Sequence, residues 1–223
     1  MITNAQEKLI KSLHRKKGRR ETGLCLVEGS KVIESAGSAI DITFTKEDTR
    51  NFEKLVTTES PQEVAATARI PKWSEADVES KDVIVVLDGV QDPGNVGTML
   101  RLCLGFNASL VLIESADPTS PKVIRSSVGA MFQVPWVEVN RSNAKNVVEA
   151  LERPIYRMEK TESAIELGSV EFKDKIILVA GSEGRGIRLI APGDSVFIKH
   201  DDKLESLNVA SALAIILHTI STK

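Results

Sequence analysis

The sequence predicts an α/β protein whose larger, C-terminal part is built on a parallel sheet. Three observations carry this expectation. From Val83 onward, short apolar runs alternate with helix-like segments: VIVVL (83–87), LVLI (110–113), VPWVEV (134–139), IILVA (176–180) and VFI (196–198). The runs are rich in β-branched residues and mostly continuous rather than alternating, the pattern of strands buried on both faces. A glycine-rich loop, AGSEGRGI (180–187), directly follows one of them, at the position where α/β folds let backbone approach a ligand.

The elements follow in order. Residues 1–70 read as a separate small α/β domain: a basic helix (4–17), a strand (LCLVEG), a helix (30–37), a strand (ITF) and two further helical stretches. The polar stretch PKWSEADVESKD (71–82) predicts a linker. This gives a first domain over 1–75 and a second over 76–223. Helices are expected at 95–105, 121–131, 142–152 and from about 206 to 221. In VASALAIIL (209–217) only Ser211 is polar, so this last helix is apolar nearly all round. A surface helix needs only one apolar stripe. A central core helix and a homodimer interface are both open readings.

Composition narrows the function. Hydrophobic residues make up 42% of the 223 residues, enough for a real core, and the net charge is only −2. Residues 1–31 nevertheless hold eight Lys/Arg against three Glu, a local charge of +5 that leaves −7 for the remainder. That asymmetry suggests an arm facing a polyanion. In KSLHRKKGRR (11–20), Lys11, Arg15, Lys16, Lys17, Arg19 and Arg20 are the candidate phosphate contacts. Aromatics are 4%, which disfavours a base-stacking sheet. Cys25 and Cys103 form no C-x-x-C and fit a reducing compartment as small buried hydrophobes. The N-terminal stretch lacks the apolar region of a secretory signal, and no run is long enough to span a membrane. A cytoplasmic protein is expected.

The chemistry is set by what is missing as well as by what is present. His14, His200 and His218 are scattered, with no Ser-His-Asp set and no metal spacing, so no metal is expected. Glycines 181, 184 and 186 have offsets 0, 3 and 5, whereas a dinucleotide fingerprint needs 0, 2 and 5. No G-K-[ST] follows for a P-loop. Asn95 stands at the mouth of the Val83 strand, as an N-cap or a functional amide. Arg101 sits among Met99, Leu100, Leu102, Cys103 and Leu104. Such an arginine wants a carboxylate, a phosphate or a function. Ser206 and Asn208 open the last helix, where a side-chain cap and the partial positive charge of a helix N-terminus coincide.

Three stretches in order, NVGTMLR (95–101), LVAGSEGRGI (178–187) and LESLNVASALA (204–214), resemble the three motifs of the SpoU/TrmH class of RNA ribose methyltransferases in the SPOUT superfamily. SPKVIRSSVGAMFQVP (120–135) resembles the stretch these enzymes carry between motifs one and two. GLCLVEGSKVIESA and TTESPQEVAATARIP resemble the ribosomal-protein-like substrate-binding domain of members that act on ribosomal RNA. The resemblance implies a SPOUT parallel-sheet domain with a deep C-terminal trefoil knot, and a homodimer whose interface includes the last helix. It implies S-adenosyl-L-methionine contacted by Val179, Ala180, Gly181, Gly184, Ile198 and Leu207, largely through backbone. It implies a reaction centre of Asn95, Arg101, Glu183, Ser206 and Asn208. The activity implied is methylation of a ribose 2′-hydroxyl in structured RNA, ribosomal RNA being favoured. Transfer RNA as substrate and a non-catalytic RNA-binding protein are the competing readings. One departure bears on the cofactor: where the family has Pro-Met-x-Gly, this chain has Lys199, His200, Asp201 and Asp202.

Overall fold

A computed structural model describes residues 1–60 and 62–222. In chain order the elements are α1 (Asn4–Ser12), α2 (Lys16–Thr22), β1 (Leu24–Glu28), α3 (Ser30–Ala36), β2 (Ile40–Thr45), α4 (Phe52–Leu55), β3 (Val64–Arg69), α5 (Glu75–Glu79), β4 (Val83–Asp88) and α6 (Pro93–Gly105). They continue with β5 (Ser109–Ile113), α7 (Pro121–Ser126), β6 (Trp136–Val139), α8 (Arg141–Ala150), β7 (Ile155–Met158), β8 (Ile165–Glu166), β9 (Ile176–Gly181), β10 (Asp194–Phe197) and α9 (Val209–Ser221). The chain divides into two compact units, one of Met1–Lys72 with Asp117–Gln133 and one of Trp73–Ala116 with Val134–Lys223. The break at Lys72/Trp73 lies three residues from the expected boundary. The segment Asp117–Gln133, which the sequence reading leaves in the second domain, packs with the first unit.

The first unit is a three-stranded antiparallel sheet in the order β1-β3-β2. A capping box between Thr3 and Gln6 starts α1. Its apolar face delivers Ile10 and Leu13 to a core with Leu26, Phe44, Phe52 and Leu55. The expected basic helix over 4–17 is two helices: α1 ends at Ser12 and α2 begins at Lys16. The two approach so closely at Gly18 that a Cβ there would lie 2.2 Å from the Ser12 carbonyl oxygen. Of the two further helical stretches expected, only α4 is helical. Val64–Arg69 is instead the central strand β3, because its alanines and Thr67 are small enough to be fully buried between two neighbours.

Two ion pairs, one buried and one half-buried, bind Asp117–Gln133 into this unit. Arg19 Nη2 donates to Asp117 Oδ2 at 2.6 Å, with the Arg19 side chain only 4% exposed. Arg19 also donates to the Thr119 hydroxyl and the Leu13 carbonyl, so the guanidinium is well satisfied. Arg125 Nη1 donates to Glu28 Oε2 at 2.6 Å, and Glu28 Oε1 accepts from the backbone and hydroxyl of Thr57.

The second unit is a seven-stranded sheet in the order β6-β5-β4-β9-β7-β10-β8, parallel at every pairing. β4 and β5 are buried along their whole length, as their continuous apolar runs require. β7 and β8 complete the sheet beside the five expected strands. The expected linker is not featureless: Ser74 and Asp77 form a capping box that starts α5, and Val78 buries beneath it. The last helix starts at Val209, three residues later than expected. It packs on β9 and on α6, burying Ala210, Leu213, Ile216 and Leu217 and leaving Ile215 41% exposed. Among the described residues, no helix is long and apolar enough to cross a membrane.

Candidate active site

The carboxyl ends of β5, β4 and β9 are adjacent, and a cavity of about 550 Å³ opens there. Open parallel sheets bind ligands at this end, where the loops diverge and helix N-termini point inward. Three side chains from three distant parts of the chain meet at its edge. Asn95 Nδ2 donates to Glu183 Oε1 at 2.9 Å. Asn208 Nδ2 donates to Asn95 Oδ1 at 3.1 Å and to Glu183 Oε1 at 3.2 Å.

Each of the three is positioned by local structure. Asn95 is not the cap of α6: Asp92 is, accepting from the Asn95 N–H at 3.0 Å, with Pro93 at the first helical position. The Asn95 amide is thereby left for the site. Asn208 does cap α9, its Oδ1 accepting from the N–H groups of Ala210 and Ser211. Its Nδ2 reaches the site from the same side chain. Glu183 stands on a loop braced against itself, where Gly186 N–H donates to the Ser182 carbonyl at 2.8 Å. A Cβ on Gly181 would meet the Gly186 carbonyl carbon at 2.3 Å, so this return requires glycine.

The far end of that loop is held by a residue the sequence reading did not single out. Asp88, fully buried at the end of β4, accepts from the N–H groups of Arg188 and Leu189, both at 2.5 Å. Its other oxygen lies 2.5 Å from Arg141 Nη1. A carboxylate closing an otherwise apolar strand was the available signal. Buried charge at a strand end needs fixed partners.

The remaining candidates fall elsewhere. Ser206, Ile198 and Leu207 line a second, smaller cavity of about 150 Å³ together with Met158, Val196 and Ile216. His200 Nδ1 donates to the Ile198 carbonyl at 2.8 Å, so the imidazole closes the turn that the family's proline and glycine would shape. Val179 and Ala180 are fully buried and line neither cavity. They lie in β9, where Val179 pairs with both β4 and β7 and Ala180 pairs with Leu87 of β4. Gly181 also lines neither, and Gly184 lines the larger one.

Arg101 does not join Asn95, Glu183 and Asn208. It lies six residues beyond Asn95 on α6, about 9 Å along the axis and on another face. It is exposed, and among the described residues it has no hydrogen-bond or ion-pair partner. Of the basic arm, Lys11, Arg15, Lys16, Lys17 and Arg20 are exposed. Arg19 is buried in its pair with Asp117, so its assignment to RNA is corrected. Among the described residues, no three His, Cys, Asp or Glu side chains are placed to hold a metal.

The fold and the site together define an enzyme class that works by alignment: amides and a carboxylate at the ends of parallel strands, with no histidine in the cluster. Residues 82–218 match the SpoU rRNA methylase family, and residues 4–49 match the MRM3-like substrate binding domain. The chain belongs to the SpoU rRNA methylase family. It is 29% identical to the 23S rRNA (guanosine(2553)-2′-O)-methyltransferase RlmP of Bacillus subtilis, over 96% of this chain and 95% of that one. A structure from Porphyromonas gingivalis, described as an RNA methyltransferase of the TrmH family, superposes with a TM-score of 0.83 at 28% identity, covering 98% of each chain. The AdoMet-bound rRNA methyltransferase of Sinorhizobium meliloti shares the fold, with a TM-score of 0.84 at 22% identity over 100% of this chain and 96% of that one.

Proposed function

We propose that this protein transfers a methyl group from S-adenosyl-L-methionine to a ribose 2′-hydroxyl of ribosomal RNA. The observation that carries the reading is the meeting of Asn95, Glu183 and Asn208 at the strand ends, one residue from each of the three motifs. Nearly full-length similarity to a 23S rRNA 2′-O-methyltransferase supports ribosomal over transfer RNA.

The smaller cavity is the one assigned to the adenine of the cofactor. Met158, Val196, Ile198, Leu207 and Ile216 give it apolar walls for a flat base, and Ser206 adds a hydroxyl. Bound there, the cofactor would supply a sulfonium methyl already activated for transfer. What remains for the protein is to align a ribose oxygen and manage one proton. Asn95 and Asn208 hold Glu183 in one orientation, and the three together fix the hydroxyl. Arg101 acts on the ribose side, as base or as a transition-state contact to hydroxyl and phosphate.

The proposed assembly is a cytoplasmic homodimer. Ile215 on α9 and Leu104 on the adjoining α6, 41% and 42% exposed, are the apolar side chains assigned to its interface. Arg101 lies exposed on that same helix and completes the partner's reaction centre. The family's trefoil knot belongs to the same proposal, formed by the C-terminal segment. The exposed Lys11, Arg15, Lys16, Lys17 and Arg20 carry phosphate contacts. The test is ribose-methylation mapping of total RNA from strains with and without the gene. A 2′-O-methyl group lost from ribosomal RNA is expected. Loss from transfer RNA alone, or no loss, overturns the reading.

A further inference from the structure

We infer that the larger cavity reads the base of the methylated nucleotide, and reads it as guanine through the carboxylate of Glu114. The inference rests on the proposed ribose methylation and names its substrate. The cavity volume of about 550 Å³ is within the range of small-ligand sites, about 300–1,000 Å³. Asn95 and Glu183 line it, so a nucleotide whose ribose meets them has its base in the same cavity. RNA-binding proteins read splayed bases by hydrogen bonds to their edges.

Three carboxylates line the cavity, each engaged through one oxygen. Asp92 Oδ2 caps α6, and Glu183 Oε1 accepts from Asn95 and Asn208 in hydrogen bonds that tie it to the proposed reaction centre. Glu114 differs. Its side chain is 52% exposed, and its contact with Arg141 Nε, at 3.5 Å, is at the limit of a hydrogen bond. Arg141 is itself anchored by the buried Asp88. The backbone is held as firmly. Glu114 follows the last residue of β5 with φ 45°, a left-handed conformation unusual for a side-chain-bearing residue. Its carbonyl accepts from the Gln91 amide, which bridges the loops after β4 and β5. Such a conformation persists where the surroundings over-determine it, and Glu114 lines the cavity.

A carboxylate offers two adjacent acceptors. Guanine is the RNA base whose Watson–Crick edge offers two adjacent donors, N1–H and the N2 amine. Adenine, cytosine and uracil each present one donor beside an acceptor or a C–H, so one carboxylate oxygen would be left unpaired or repelled. A site built to accept two hydrogen bonds penalises a base that cannot donate both.

The experiment has two stages that separate this inference from the function beneath it. Methylation mapping identifies the target nucleotide. Absence of any 2′-O-methylation overturns the enzyme reading, whereas a methylated adenosine, cytidine or uridine overturns only the role of Glu114. Single-turnover transfer is then measured on a synthetic stem-loop carrying guanosine or inosine at that position, inosine lacking the N2 amine. The wild type should lose about tenfold or more on inosine. Glu114→Gln should lose about as much on guanosine and should not distinguish the two. Calorimetry with S-adenosyl-L-methionine should give the same affinity for variant and wild type, showing that the fold is retained. If Glu114→Gln keeps the wild-type preference for guanosine over inosine, the inference fails.

Discussion

Asn208 shows how one short side chain can serve stability and function with different atoms. Its oxygen caps α9, and its nitrogen reaches Asn95 and Glu183. Asn208→Asp keeps the acceptor and loses the donor, so the melting temperature should hold while methyl transfer falls ~100-fold or more. Asn208→Ala should lose both, and should cost a further ~1 kcal/mol of stability in denaturant titration. A variant Asn208→Asp with near-normal turnover would reduce this residue to a cap. Residue identity made such groups legible in the sequence, because caps and amides have local signatures. Arg19 was not legible: it sits in a run of cations, and its partner Asp117 lies 98 positions away. Glu114 was equally hidden, since a glutamate after an apolar run reads as solvated. The two cysteines were read as buried, and they are. Burial pushes both thiols up to about 12. Ellman's reagent at pH 8 should find no reactive thiol in the native protein and two after unfolding.

Among the elements, strands that are continuous and β-branched were legible, and short or small-residue strands were not. Val83–Leu87 and Ile176–Ala180 pair as neighbours at the centre of the sheet. Val64–Arg69 holds three alanines and looks helical, yet it is the middle strand of its sheet, because packing there admits only small side chains. Ile155–Met158 is four residues long with a charged one among them, too brief for a period to emerge. On α6, Arg101→Ala should abolish methyl transfer and leave calorimetric binding of S-adenosyl-L-methionine unchanged, with Arg101→Lys nearly as impaired. Normal turnover in Arg101→Ala would make this a surface arginine. The tie between α2 and residue 117 carries a pH dependence. Burial raises the Asp117 carboxyl, but hydrogen bonds from Thr119 and Arg19 and the Arg19 charge outweigh it and hold the carboxyl below its ordinary range. A depressed folded-state value adds stability above the unfolded value of about 3.9, and the gain is lost as pH falls through the folded value. Asp117→Asn should therefore cost about 3 kcal/mol at pH 7, and progressively less as pH falls below the unfolded value. An equal cost throughout would show that the charge is immaterial.

At the scale of the whole molecule, light scattering after gel filtration should give about twice the 24.3 kDa of one chain, and a monomer at micromolar concentration would remove the proposed homodimer. Exchanging Lys11, Arg15, Lys16, Lys17 and Arg20 for Glu should weaken RNA binding and flatten its dependence on salt, because fewer counterions are released. Cofactor affinity should not change. Arg19 is left out of that set because its loss would strand a buried carboxylate. The excursion of Asp117–Gln133 constrains how this architecture can be cut and recombined. The backbone passes between the two units at Lys72/Trp73, Ala116/Asp117 and Gln133/Val134. A single scission after Lys72 would not free an autonomous module, since the fragment would lack Asp117, Arg125 and the buried Val123 and Ile124. The complementary fragment would carry those same apolar groups with nothing to cover them. Exchange of the first unit between related chains therefore has to transplant two stretches at once.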